Sequence, residues 1–232
     1  PASMQMSIAV HELTHALQDQ HFALDKVIDD LSLSSDEQLA RAALVEGDAT
    51  AVMLDYSHML AGLPSISKSE SVSAFMLQSL SGAMFSVSLR KAPSAIQAAL
   101  LFPYVSGLNF VHRLLKRGGY REVDRAFARF PRTTSEVLHP ELYQDSAFTD
   151  GSSQRIPPLA PEGFRSAKAM PIHVDTLGEF LIATMLGTWL NPIQSSSAAA
   201  GWKGDRVALY QGDKQKFALS WVTDWENEVE AS

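Results

Sequence analysis

Residues Ser7 to Leu17 read Ser-Ile-Ala-Val-His-Glu-Leu-Thr-His-Ala-Leu. Ile8, Val10, Leu13 and Leu17 recur at helical spacing, so the stretch is predicted to be a helix with an apolar stripe. His11 and His15 stand four positions apart and leave such a helix from one face, one turn apart. Both imidazoles can then reach a single metal ion. Glu12 sits beside them, where a carboxylate can take a proton from water held at that metal. Zinc is the expected cation, and a catalytic zinc needs a third protein ligand while leaving one position open.

Two residues compete for that third place. His21 stands at the spacing of the longer motif HExxHxxGxxH, in which a glycine turns the chain sharply out of the helix. Gln18 occupies the glycine position here, and a continuing helix carries His21 roughly 240° around from His15. The other candidate is Glu46, in Leu44-Val45-Glu46-Gly47-Asp48-Ala49-Thr50. A carboxylate inside an otherwise apolar helix is costly unless it is paired, and zinc is a suitable partner. Ala42, Ala43, Gly47, Ala49 and Ala51 are small enough to let that helix approach the motif helix closely. Glu46 is therefore the expected ligand and His21 the alternative.

The rest of the chain reads as mostly helical. Ser34 and Glu37 form a capping-box pattern ahead of a periodic run that lasts until Gly62-Leu63-Pro64. Further helices are predicted over Val72 to Leu89, Pro93 to Lys116 and Tyr120 to Arg129, with Gly118-Gly119 as a stop signal. Six prolines between Pro131 and Pro171 suggest long ordered loops around a short helix near Thr134 to Leu138. Thr176 and Glu179 are predicted to cap a helix over Leu177 to Leu190 that Asn191-Pro192 closes. Arg206 to Gln211 and Lys216 to Val222 are two β-rich runs flanking Gly212-Asp213-Lys214, a hairpin signal, and Thr223 or Asp224 would cap a final helix. The expected fold is α+β and predominantly α-helical, a single domain over residues 1–232 with a small antiparallel C-terminal sheet.

His11-Glu12-xx-His15 followed by a glutamate on a downstream helix resembles the gluzincin arm of the zincin metallopeptidases, the thermolysin-like class. The specific likeness covers about residues 5 to 56. In detail, His-Glu-Leu-Thr-His-Ala-Leu-Gln-Asp-Gln-His-Phe, Glu-Gly-Asp-Ala, Phe-Pro-Tyr-x-x-Gly and Leu-His-Pro-Glu-Leu-Tyr are similar to a little-characterised group of zinc peptidases known by motif. The resemblance implies zincin-like active-site helices, His11, His15 and Glu46 on zinc, Glu12 as general base, and a peptide or protein as substrate. An oxyanion donor is also required. His139 and Tyr143, in the proline-stiffened Leu138 to Tyr143, are the expected candidates, ahead of Tyr104 and His173. A zincin-like module that binds metal or peptide without turnover is the alternative reading. Two features depart from the pattern. Thr50 stands where gluzincins usually carry an aspartate, and ten residues cannot supply the sheet that they build before the motif helix. Either that sheet lies upstream of Pro1 or the C-terminal hairpin stands in for it.

Composition narrows the partners. With 19 basic and 26 acidic residues the net charge is −7, and no basic block occurs. That argues against nucleic acid or an anionic membrane surface as the main partner. The absence of cysteine removes disulfide scaffolds and thiol nucleophiles. No run of about 18 consecutive apolar residues is present, so no membrane span is expected. The chain opens on Pro1 rather than methionine, the pattern of a processed product. Loss of a targeting segment would be compatible with a place outside the cytoplasm.

Overall fold

A computed structural model of the chain describes residues 2–28, 30, 32–72, 91–144, 156–165, 170–212 and 216–228. Ten α-helices and a three-stranded antiparallel sheet are found among the described residues. In chain order they are α1 (Ala2–Phe22), α2 (Asp25–Ile28), α3 (Ser35–Leu60), α4 (Ser94–Gly118), α5 (Tyr120–Ala128), α6 (Thr134–Leu138), α7 (Pro140–Gln144), α8 (Glu162–Arg165), β1 (Pro171–Asp175), α9 (Gly178–Leu186), α10 (Pro192–Ala199), β2 (Trp202–Gln211) and β3 (Phe217–Trp225). The protein is mostly helical with its sheet at the C-terminus, as the periodicity implies. The helix expected over Val72 to Leu89 lies almost wholly outside the described residues.

The centre of the fold is the crossing of α3 and α4. A Cβ on Gly47 would fall inside the Gly107 carbonyl, and one on Gly107 would fall on the Ala43 carbonyl, so the two backbones touch. Of the small residues of α3, Gly47 and Ala43 therefore serve the contact with α4. Around this crossing Leu44, Leu108, Phe110 and Val111 are completely buried, together with Ala40, Ala43 and Val123. Each large apolar side chain taken from water this way contributes about 1.5–3 kcal/mol. By length and composition α4 could cross a bilayer, but it has nine buried residues and packs Phe102 at a tilt against Phe180 of α9.

Helix α1 lies antiparallel on α3. Ser7 Oγ meets Ser57 Oγ at 3.2 Å near one end of the contact, and Gln18 reaches the Val45 carbonyl at the other. Ser34 caps α3 as predicted, its hydroxyl accepting from the Glu37 amide.

The sheet runs β1-β2-β3 and covers a smaller apolar cluster of Ile182, Ala199 and Trp202. Polar groups tie it to α3 and tie the helices beside it to one another. The Asp175 carboxylate accepts from the Ser35 amide and hydroxyl, Asp36 accepts from the Thr134 amide and hydroxyl, and Ser135 donates to Glu179. These ties fall at the N-terminal end of α3, about ten residues or 15 Å of helix before Glu46. The C-terminal sheet is thus tied to α3 well before Glu46.

Several boundaries differ from expectation for tertiary reasons. Strand β1 begins at Pro171, the last residue of the proline-rich region read as loop, and was not expected; a proline is tolerated there because the strand's first position needs no ladder donor. Thr176 does not cap α9; the Asp205 carboxylate accepts from the Leu177 and Gly178 amides instead. Helix α9 ends at Leu186, with Gly187 as its C-cap, short of the predicted Leu190, and Asn191 instead opens α10 through a capping box with Gln194. Thr223 and Asp224 stay in β3, paired with Asp205 and Gly204, and begin no helix.

Candidate metal centre

Pairing α1 antiparallel with α3 brings three side chains to one point. His11 Nε2 lies 3.2 Å from Glu46 Oε2, His15 Nε2 lies 3.4 Å from the same oxygen, and the two Nε2 atoms are 3.0 Å apart. This is a group of potential ligands found among the described residues, half-buried at each member. The donor set, two imidazole nitrogens and one carboxylate oxygen, is one that zinc accepts in catalytic sites. Zinc bonds of about 2.0–2.1 Å in a tetrahedral shell separate neighbouring ligand atoms by about 3.3 Å. The observed separations match that spacing, so the residues present fit the ion.

The electrostatics agree with the geometry. Burial alone would raise the Glu46 carboxyl, yet the two imidazoles override it and hold Glu46 down at about 2. Glu46 in return raises the His15 pKa, because the protonated ring can donate Nε2–H to the carboxylate. A carboxylate that stays ionised while facing two imidazole nitrogens is ready for a divalent cation.

Glu12 leaves α1 between the two histidines and is exposed. Its charge is felt by His15 and by Tyr104. His21 does not join the group. It is exposed, and its Nδ1–H donates to the Leu17 carbonyl at 2.8 Å as α1 runs on through it without the turn that a glycine at position 18 would allow.

Neither His139 nor Tyr143 is brought to the triad. His139 Nε2 is bonded to Glu179 Oε1 at 2.7 Å, in the polar layer by Asp36, and Glu179 raises its pKa. Tyr143 is buried edge-on against Phe110, under the Arg129 guanidinium, and its hydroxyl donates to the Arg129 carbonyl at 2.6 Å. Both anchor the loop in the core, so the oxyanion role expected of them needs another residue. Tyr104 is the one that the fold supplies. Its ring lies 6.3 Å from the His11 ring, nearly parallel to it, and its hydroxyl interacts with Glu46. Burial pushes its pKa to about 12, so it remains a donor at any working pH. The signal in the sequence was Phe102-Pro103-Tyr104-x-x-Gly107, where Gly107 sets the backbone contact with α3 that delivers Tyr104 three residues earlier.

Gln18 also lies in the site. Only 3 % exposed, it touches His15 Nδ1 at 2.9 Å, the Val45 carbonyl at 3.1 Å and Asp48 Oδ2 at 2.8 Å.

Residues 169–232 match a domain of unknown function (DUF8575). That segment holds the sheet, α9 and α10, and none of the triad. No curated protein and no solved structure matches the chain at a significant level.

Proposed function

We propose that this chain is a zinc-dependent peptide-bond hydrolase of the gluzincin kind, with His11, His15 and Glu46 holding the metal. The observation that carries the reading is the convergence of these three ligand atoms, from two helices, at separations a tetrahedral shell requires, with Glu12 exposed beside His11 on α1. Zinc in such a shell supplies Lewis acidity, lowering the pKa of water and polarising a carbonyl. The protein's own residues do the rest. Glu12 accepts the proton of the attacking water on its carboxylate and passes it to the leaving amine nitrogen. The Tyr104 hydroxyl donates a hydrogen bond to the oxygen on which negative charge develops.

A second reading is a module that keeps the metal helices but binds peptide without cleaving it. What favours it is the placement of the sheet at the Ser35 and Asp36 end of α3, away from the triad where a substrate strand would be held. One experiment separates the two. The full chain is purified without added metal, its zinc content measured, and a mixed peptide library digested with and without chelator. Stoichiometric zinc with chelator-sensitive cleavage supports the hydrolase, zinc without cleavage supports the binding module, and no zinc uptake removes both.

A further inference from the structure

We infer that Gln18 is a positioning residue for the metal centre: its amide holds His15 in the tautomer whose Nε2 carries a lone pair for the cation. This rests on the zinc reading above, but the tautomer itself can be tested without any metal.

The argument begins with the amide's orientation. A side-chain nitrogen and oxygen are interchangeable in shape, so their partners must assign them. The atom 3.1 Å from the Val45 carbonyl oxygen has to be the NH2 group, since a carbonyl can only accept. The same group donates its other hydrogen to Asp48 Oδ2 at 2.8 Å. Gln18 Oε1 therefore faces His15 Nδ1 at 2.9 Å and can be satisfied only by an N–H there. A neutral imidazole has one hydrogen, so His15 Nε2 is left bare, aimed at Glu46 Oε2 and His11 Nε2.

That arrangement runs against intrinsic preference, because a free histidine side chain in water favours the hydrogen on Nε2. Without Gln18, His15 would donate Nε2–H to Glu46 and close the site with a proton. Gln18 is suited to prevent this. It lies one turn beyond His15 on α1, where an i,i+3 pair meets, and it is nearly excluded from solvent. Its two donor bonds end on α3, so the group that orients His15 also fixes α1 against the helix that carries Glu46. Outer partners of this kind typically change metal affinity by about 10–100-fold when removed.

The test uses the 15N-labelled full chain, stripped of metal, at a pH where its imidazoles are neutral. Two-bond proton–nitrogen correlations report which ring nitrogen of His15 is protonated. The expected result is Nδ1–H with a bare Nε2; an Nε2–H tautomer overturns the proposal. Gln18→Leu should move the proton to Nε2 and weaken zinc binding about 10–100-fold. A Gln18→Leu protein with unchanged tautomer and unchanged affinity also overturns it. Should Gln18→Leu fail to fold, the wild-type spectrum still decides. A wild-type chain that shows the expected tautomer but takes up no zinc overturns the hydrolase reading, and leaves the role of Gln18 in orienting His15 intact.

Discussion

His11 Nε2 lies 3.2 Å from Glu46 Oε2 across the contact of α1 with α3, joining residues 35 positions apart in sequence. The bond holds the two helices together through a charge that a metal can replace. A ligand present at a hundred times its dissociation constant stabilises the folded state by about 2.7 kcal/mol. For a domain of this size that is roughly 5–10 °C in Tm. Addition of zinc to chelated protein should raise Tm by that amount in a differential scanning experiment. Glu46→Ala should abolish the increment, because two imidazoles alone give too few ligands.

Glu12→Gln removes a base and leaves the metal ligands untouched. Zinc content should match the wild type while kcat falls by about 10²–10⁴-fold, the range for loss of a general base. Unimpaired hydrolysis by a zinc-loaded Glu12→Gln protein would remove Glu12 from this role.

Tyr104→Phe deletes one hydroxyl from a half-buried ring. Its packing against His11 is kept, so zinc binding and KM should change little. Loss of an oxyanion donor predicts a fall in kcat of about 10²–10³-fold. The control is Tyr143→Phe, which loses a bond to the Arg129 carbonyl and should reduce stability while leaving zinc affinity and KM in place.

The candidate site divides cleanly by whether its signals are local. His11, Glu12 and His15 were legible because helix geometry alone puts them on neighbouring turns. Glu46 was legible because an ionised group on an apolar helix needs a partner. Sequence places His139 and Tyr143 ahead of Tyr104 and the structure reverses that order, since each takes its role from a different crossing of distant helices. The prolines near His139 signalled a fixed loop, but nothing in the local sequence showed that Glu179, forty residues on, would hold the imidazole. Gln18 read as the place where a glycine was missing, and its three partners appear only once α1 lies on α3. The fold follows the same division. The long helices follow periodicity, whereas β1 and the cap of α9 depend on pairing with β2 and on Asp205.

Asp36 predicts how stability responds to pH. Burial raises its carboxyl from an ordinary value of 3.8 to about 8, against the lowering effect of the Thr134 amide and hydroxyl, and with Asp205 and Glu179 adding repulsion. The folded state therefore holds this proton more tightly than the unfolded state. The stability it contributes is fully present below pH 3.8 and is lost as pH rises through about 8. Asp36→Asn keeps an acceptor for Thr134 and cannot ionise. Denaturant titrations between pH 5 and 8 should show a smaller loss of stability with rising pH in Asp36→Asn than in the wild type. Parallel pH profiles for the two proteins would mean that Asp36 is not protonated in the fold.

Gly47→Ala tests whether the backbone contact of α3 with α4 sets the metal centre. The added methyl would overlap the Gly107 carbonyl and crowd its Cα at 3.0 Å, and both are main-chain atoms that no rotamer change can move aside. The helices must separate, which for an overpacked core costs about 1–3 kcal/mol. Glu46 is the neighbouring residue, and Tyr104 rides on the opposing helix, so separation also pulls the Tyr104 hydroxyl from the Glu46 carboxylate. Denaturant unfolding should show the loss of stability, and kcat of the zinc-loaded protein should fall further than in Tyr104→Phe, because the Glu46 ligand moves as well. Gly107→Ala, which strikes the Ala43 carbonyl from the other side, should reproduce both effects. A Gly47→Ala protein that loses stability but keeps full zinc affinity and kcat would show that the crossing supports the fold without tuning the site.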